Sequence, residues 1–120
     1  MRTSKQTGDA AEDAALRHLQ QAGLRLLERN YRTPGRGGGE IDLIMRDGTT
    51  LVFIEVRMRA NEKYGGAAAS ITPAKQAKLL RTARHYLSEL NTEQPCRFDA
   101  LLLSGTNGQE IEWIKNAFGE

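Results

Sequence analysis

Two acids sit where apolar side chains would be expected. Asp42 interrupts the run Ile41-Asp42-Leu43-Ile44, and Glu55 interrupts Phe53-Ile54-Glu55-Val56. Around Glu55, Val52, Ile54, Val56 and Met58 alternate with Leu51, Phe53, Glu55, Arg57 and Arg59, so a strand here has one uniformly apolar face and one that turns charged partway along. Packing alone gives no reason for that change. Carboxylates facing each other across a strand pair repel, and burial raises the cost unless protons or a cation compensate. Hard oxygen ligands of this kind suit Mg²⁺ or Mn²⁺, which take one or two carboxylates together with waters and phosphate oxygens. The chemistry that fits is hydrolysis of a phosphodiester.

Register decides which acids meet. Between the acidic segments lies Arg46-Asp47-Gly48-Thr49, a hairpin signal. A tight turn at Asp47-Gly48 pairs Arg46 with Thr49 and Glu40 with Glu55. A loop over 47–50 pairs Arg46 with Leu51 and Asp42 with Glu55. In both cases Glu40, Asp42, Glu55 and Arg57 share one face of the sheet, whereas a connection one residue longer or shorter flips a strand. The competing structural reading is an exposed hairpin end whose acids pair with Arg57 and Arg59.

The flanking elements follow from periodicity. Ala11, Ala14, Ala15, Leu19 and Ala22 form one face of a helix over about 8–22, stopped by Gly23. A first strand covers 24–32, and a loop follows at Thr33-Pro34-Gly35-Arg36-Gly37-Gly38-Gly39. Strands are expected at 40–45 and 50–59, then a loop over 60–70. Thr72 as N-cap and Pro73 at the first helical position open a long helix reaching Leu90, with Leu79, Ala83, Tyr86, Leu87 and Leu90 buried. Strands at 97–103 and 110–114 complete a mixed sheet, covered on both sides because its strands are apolar on both faces. The expected architecture is one α/β domain over 1–120, with a central mixed sheet of about five strands flanked by helices.

At 39% hydrophobic and 27% charged residues the composition is that of a globular protein. No apolar run approaches the ~20 residues that span a bilayer, and residues 1–8 are polar, so a cytoplasmic location without a membrane partner is expected. Cys96 is the single cysteine and cannot form an internal disulfide. His18 and His85 are distant in sequence, which leaves no zinc signature, and no serine–histidine–acid spacing stands out. The glycine loops are not phosphate-binding P-loops, since no Gly-Lys-Ser/Thr follows. Charge is uneven: the segments 1–36, 37–53, 54–86 and 87–120 carry +3, −2, +5 and −4. A positive middle beside a small acidic knot suits a polyanion, although an unevenly charged solvated surface gives the same pattern.

The motifs Gly39-Glu40-Ile41-Asp42-Leu43-Ile44 and Val52-Phe53-Ile54-Glu55-Val56-Arg57 resemble those of the YraN-like family of bacterial proteins. That family is itself similar to the restriction-endonuclease-like, or PD-(D/E)XK, nucleases, and close to archaeal Holliday junction resolvases. The resemblance covers nearly the whole chain, including Gly8 with Glu12, Arg29-Asn30-Tyr31-Arg32, Lys75-Gln76, Ala83 and Tyr86-Leu87. It implies a restriction-endonuclease-like fold and metal ligation by Asp42 and Glu55. Glu12 would complete the metal site from the first helix, and Glu40 would act from outside it or through water. It also implies a nucleic-acid substrate, DNA above others. Some junction-cutting relatives are dimers, which leaves a homodimer open. One departure matters. The nuclease pattern ends Glu-x-Lys, and here Arg57 takes the lysine's place; it can stabilise developing negative charge but is a poor base. Lys75, opening the long helix, is the candidate for the missing amine.

Lys75, Lys78, Arg81, Arg84 and His85 lie mostly opposite the buried stripe of the long helix, with Lys75 and Lys78 at its N-terminal end, where the helix dipole favours anions. The expected nucleic-acid contacts are Arg59, Lys75 and Lys78, and Gln76, adjacent to Lys75 in the resemblance. Tyr64 is a weaker candidate for stacking on a base. Three functions therefore stay open: a Mg²⁺- or Mn²⁺-dependent endonuclease, a nucleic-acid-binding module that has lost its chemistry, and a protein-interaction domain whose acids only form ion pairs.

Overall fold

A computed structural model describes residues 4–35, 38–58, 71–91, 93–105 and 110–118. Helix α1 (Ser4–Gln21) leads into strands β1 (Arg25–Arg32), β2 (Glu40–Asp47) and β3 (Thr50–Met58). Helix α2 (Pro73–Leu90) then crosses to β4 (Cys96–Ser104), and β5 (Glu110–Phe118) follows. The five strands form one sheet in the order β1-β2-β3-β4-β5; β3 and β4 run parallel and the other pairs antiparallel. This is the restriction-endonuclease-like α/β fold, a mixed sheet with a helix on each side. Among the described residues no helix is long and apolar enough to cross a membrane.

Local chemistry sets the helix ends. At the end of α1, Gly23 takes φ +102°, its N–H donates to the Gln20 carbonyl (3.0 Å), and Leu24 N–H donates to Leu19 (3.1 Å). This is the Schellman arrangement, with Leu24 and Leu19 both buried in one apolar cluster. Ala22, expected on the buried face, falls beyond the last helical residue and is exposed. At the start of α2, Thr72 caps the helix by accepting from Lys75 N–H at 3.2 Å, with Pro73 in the first turn.

Each face of the sheet has its own core. Ala11, Ala15 and Leu19 of α1 pack on Leu43, Met45, Val52, Ile54, Leu101 and Leu103. On the other face, Leu79 and Ala83 of α2 pack with Ile44, Phe53, Phe98, Ala100 and Leu102. Thr82 is buried in α2, where sequence periodicity favours an apolar residue, and its hydroxyl donates to the Lys78 carbonyl (2.9 Å). Inside its own helix the hydroxyl is therefore satisfied. Leu90, expected in this core, is only half-buried.

The β2–β3 hairpin pairs Asp47 with Thr50 and Arg46 with Leu51, leaving Gly48 and Thr49 as the turn. The register is the one in which Asp42 falls opposite Glu55. The paired stretch ends at Leu43 and Ile54, one step short of the acids.

Candidate active site

The site begins where β2 parts from β3. Continuing the hairpin register would set Val56 opposite Ile41, but β2 has peeled away by then. The Asp42 carboxylate takes over: Oδ2 accepts the Val56 N–H at 2.8 Å. A side chain thus satisfies a backbone donor that the ladder has released. It also fixes Asp42 beside the next residue up the strand, Glu55, which lies within hydrogen-bonding reach of it.

Glu55 is 5% exposed, and its Oε2 is buried without a hydrogen-bond partner. Burial, then the neighbouring Asp42 carboxylate, pushes the Glu55 carboxyl from its ordinary 4.5 up to about 8, although Lys75 and Arg57 pull the other way. Both cations lie at the long end of ion-pair distance from it. Lys75 Nζ is 3.7 Å from Oε2, and Arg57 Nε is 4.0 Å from Oε1 and is itself buried without a partner. The carboxyl therefore favours holding a proton near neutral pH.

Glu55 and Asp42 open into a cleft of about 540 Å³ between the glycine loop and α2, also lined by Gly39, Glu40, Lys75 and Arg81. Gly39 presses directly on α2: a Cβ there would come within 3.0 Å of Thr82 Oγ1. Only glycine lets the loop lie this close. Across the loop's mouth Thr33 N–H donates to the Gly39 carbonyl (3.2 Å), and Gly39 N–H donates to Thr33 Oγ1 (3.0 Å).

Of the other expected acids, Glu12 comes from α1, and Glu40, at the start of β2, lines the cleft. Glu12 is mostly buried; its carboxyl is raised by burial and then by Asp42, while Arg29 lowers it. Arg29 Nε is 3.6 Å from Glu12 and its Nη2 donates to Asp13 at 2.5 Å. Glu40 lies 3.4 Å from Arg32 at the surface. Among the described residues no three carboxylates, histidines or cysteines are grouped tightly enough to hold one ion. The structure thus brings Asp42 and Glu55 together and leaves Glu12 and Glu40 outside that pair.

Of the expected nucleic-acid contacts, Lys78 is exposed on the cleft wall, and Lys75 is half-buried beside Glu55. Gln76 turns inward and its Nε2 donates to the Ile71 carbonyl at 3.0 Å. Arg59 and Tyr64 lie outside the described residues. His18 is an edge-to-face neighbour of Trp113, as a structural histidine would be.

Residues 11–103 match the uncharacterised protein family UPF0102. The chain belongs to that family. UPF0102, the YraN-like family, is a branch of the PD-(D/E)XK superfamily. A UPF0102 protein from Albidiferax ferrireducens is 66% identical over 119 residues, covering 97% of this chain and 89% of the relative. One from Nitrosomonas eutropha is 60% identical over 120 residues, covering 100% and 99%. One from Paracidovorax citrulli is 60% identical, covering 97% and 84%. UPF0102 membership thus extends along nearly the full length of the chain, the acid pair included.

Sequence reasoning missed Asn30. Its backbone is left-handed (φ +55°) in the middle of β1. With its amide oriented to donate, Nδ2 lies 3.1 Å from both Glu12 Oε1 and Glu40 Oε1. Its sequence signals are its place in the Arg29-Asn30-Tyr31-Arg32 motif and the fact of an asparagine inside a strand, since asparagine tolerates this conformation better than most residues.

Proposed function

We propose that this UPF0102 chain is a Mg²⁺- or Mn²⁺-dependent endodeoxyribonuclease acting in the cytoplasm. The observation that supports this most is the orphaned, protonation-prone Glu55 carboxyl set beside Asp42 in a cleft walled by cations. Two carboxylates with open space around them fit a small hard ion, which fills its remaining positions with water and phosphate oxygens and needs no third protein carboxylate. Asp42 and Glu55 are the residues that would hold the ion, with Glu12 and Glu40 acting through water. Such an ion, when bound, supplies charge stabilisation and lowers the pKa of water.

The chain's own cations take the remaining roles. Lys75, beside Glu55, stands in for the lysine that Arg57 replaces and orients the attacking water. Arg57 brings a guanidinium that stabilises negative charge building on the phosphoryl group. Lys78 and Arg81 line the approach and hold the DNA backbone. The test is cleavage of linear, flapped and four-way-junction DNA with Mg²⁺ or Mn²⁺. Asp42→Asn and Glu55→Gln should each lower the rate by roughly a hundredfold or more, consistent with losing a charge-stabilising group. Cleavage that survives both changes refutes the assignment.

Arg57 also favours a second reading, a DNA-binding module of this fold without chemistry. In that case salt-dependent DNA binding persists in the parent chain while no substrate is cut.

A further inference from the structure

The assignment of Asp42 and Glu55 leaves open what holds Glu12 near them. In a regular strand, residues two apart share a face. Arg29 faces α1, where it meets Glu12 and Asp13, and Leu43, its partner across the ladder, packs in the α1-side core. Tyr31 and its ladder partner Ile41 should therefore face α1 as well. Instead both belong to the α2-side core. The reversal falls at Asn30, the one non-glycine residue with positive φ in the described part of β1. A left-handed residue inside a strand is strained unless its surroundings compensate.

The compensation is visible. The left-handed turn at Asn30 lies beside the start of β2, where pairing with β3 has ended and Asp42 accepts the freed Val56 N–H. It also sets the Asn30 amide between two carboxylates from different elements, Glu12 of α1 and Glu40 of β2. Two acids converging on one point repel; one neutral NH₂ group has two hydrogens and can satisfy one oxygen of each without adding charge. A lysine there would neutralise the pair, and an aspartate would sharpen the repulsion.

We propose that Asn30 is a positioning residue: its left-handed backbone and bridging amide hold Glu12 and Glu40 at the rim of the Asp42–Glu55 pair, fixing the outer acids for cation binding. This rests on the assignment of a divalent-metal site to that pair. Asn30→Gly is the informative variant, because glycine keeps the positive φ at least cost and removes only the amide. The measurement is Mn²⁺ affinity by calorimetric titration for the parent, Asn30→Gly, Glu12→Gln and the double variant, with metal-free melting as the check on folding. Asn30→Gly should weaken Mn²⁺ binding roughly tenfold, the scale at which supporting partners act. The same change made in the Glu12→Gln background should cost clearly less, because part of the amide's effect runs through that acid and the rest through Glu40. Unchanged affinity in Asn30→Gly overturns the proposal, as does an equal loss in both backgrounds. A parent that binds no Mn²⁺ overturns the metal assignment itself, which separates the two failures.

Discussion

Two acids are buried in the central sheet, and they are treated in opposite ways. Asp99, in β4, is fully buried and surrounded by donors: Arg97 Nε at 3.0 Å, Trp113 Nε1 at 2.9 Å and the Asn116 N–H at 2.9 Å. Arg97 in turn donates to Asp47 at 2.9 Å. Asn116 adopts a left-handed backbone where β5 slips register against β4, so the bulge delivers its N–H to the acid. Glu55, in the neighbouring strand, has cations nearby but an oxygen with no hydrogen bond. Burial of an acid is therefore not the mark of a reactive site. What distinguishes Glu55 is unmet hydrogen-bonding capacity next to a second carboxylate and an open cleft. Asp99 ties β4 to β5 and to the hairpin turn; Glu55 keeps an oxygen without a hydrogen bond beside the cleft.

Removing the satisfied acid should have the largest effect. Asp99→Ala leaves Arg97 without its main partner and should cost about 3–5 kcal/mol, measured by urea unfolding. A loss under ~1 kcal/mol would show that the network matters little.

Next in size is a pH effect at the unsatisfied acid. The Glu55 carboxyl is raised from 4.5 to about 8, so the folded chain holds a proton that the unfolded chain has lost over that interval. Stability contributed by this group is complete below about pH 4.5 and is lost as pH rises toward 8. Thermal melting of the metal-free protein should therefore show a decline from pH 5 to pH 8 that is flattened in Glu55→Gln and unchanged in Asp99→Ala. An identical slope in Glu55→Gln would remove the contrast between the two acids.

How much of this was legible in the sequence depends on the residue. Thr72-Pro73 and Gly23 announced the helix ends because each satisfies a fixed backbone need, and the Asp-Gly hairpin kept the strand parity that brings Asp42 to Glu55. Asp99 was not singled out, although Phe98-Asp99-Ala100 interrupts an apolar run just as Ile41-Asp42-Leu43 does. The two differ only in donors supplied by remote residues such as Trp113. The extension of β5 to Phe118 escaped for the same reason, since the register slip near Asn116 breaks the alternation that marks a strand. Asn30 escaped because side-chain periodicity carries no information about backbone handedness.

Smaller effects sharpen the contrast at the cleft. Replacing Lys75 and Lys78 together with alanine should weaken DNA binding and reduce the slope of log K against log salt by about 1.8, if each contacts one phosphate. An unchanged slope would remove this wall of the cleft from the interface. The smallest effect belongs to the surface pair of Arg32 and Glu40, where Arg32 is 74% exposed. Arg32→Ala should change unfolding free energy by less than ~0.5 kcal/mol; a larger loss would mean that Glu40 is held more tightly than its partly exposed position implies.

The most direct test is Mn²⁺ titration by calorimetry at pH 7 in two buffers of different ionisation enthalpy. Because the proton on Glu55 must leave before the carboxylate can bind a cation, the parent should release about one proton per ion bound, and Glu55→Gln should release none and bind far more weakly. Binding that proceeds without proton release, or equally well in Glu55→Gln, would contradict the account.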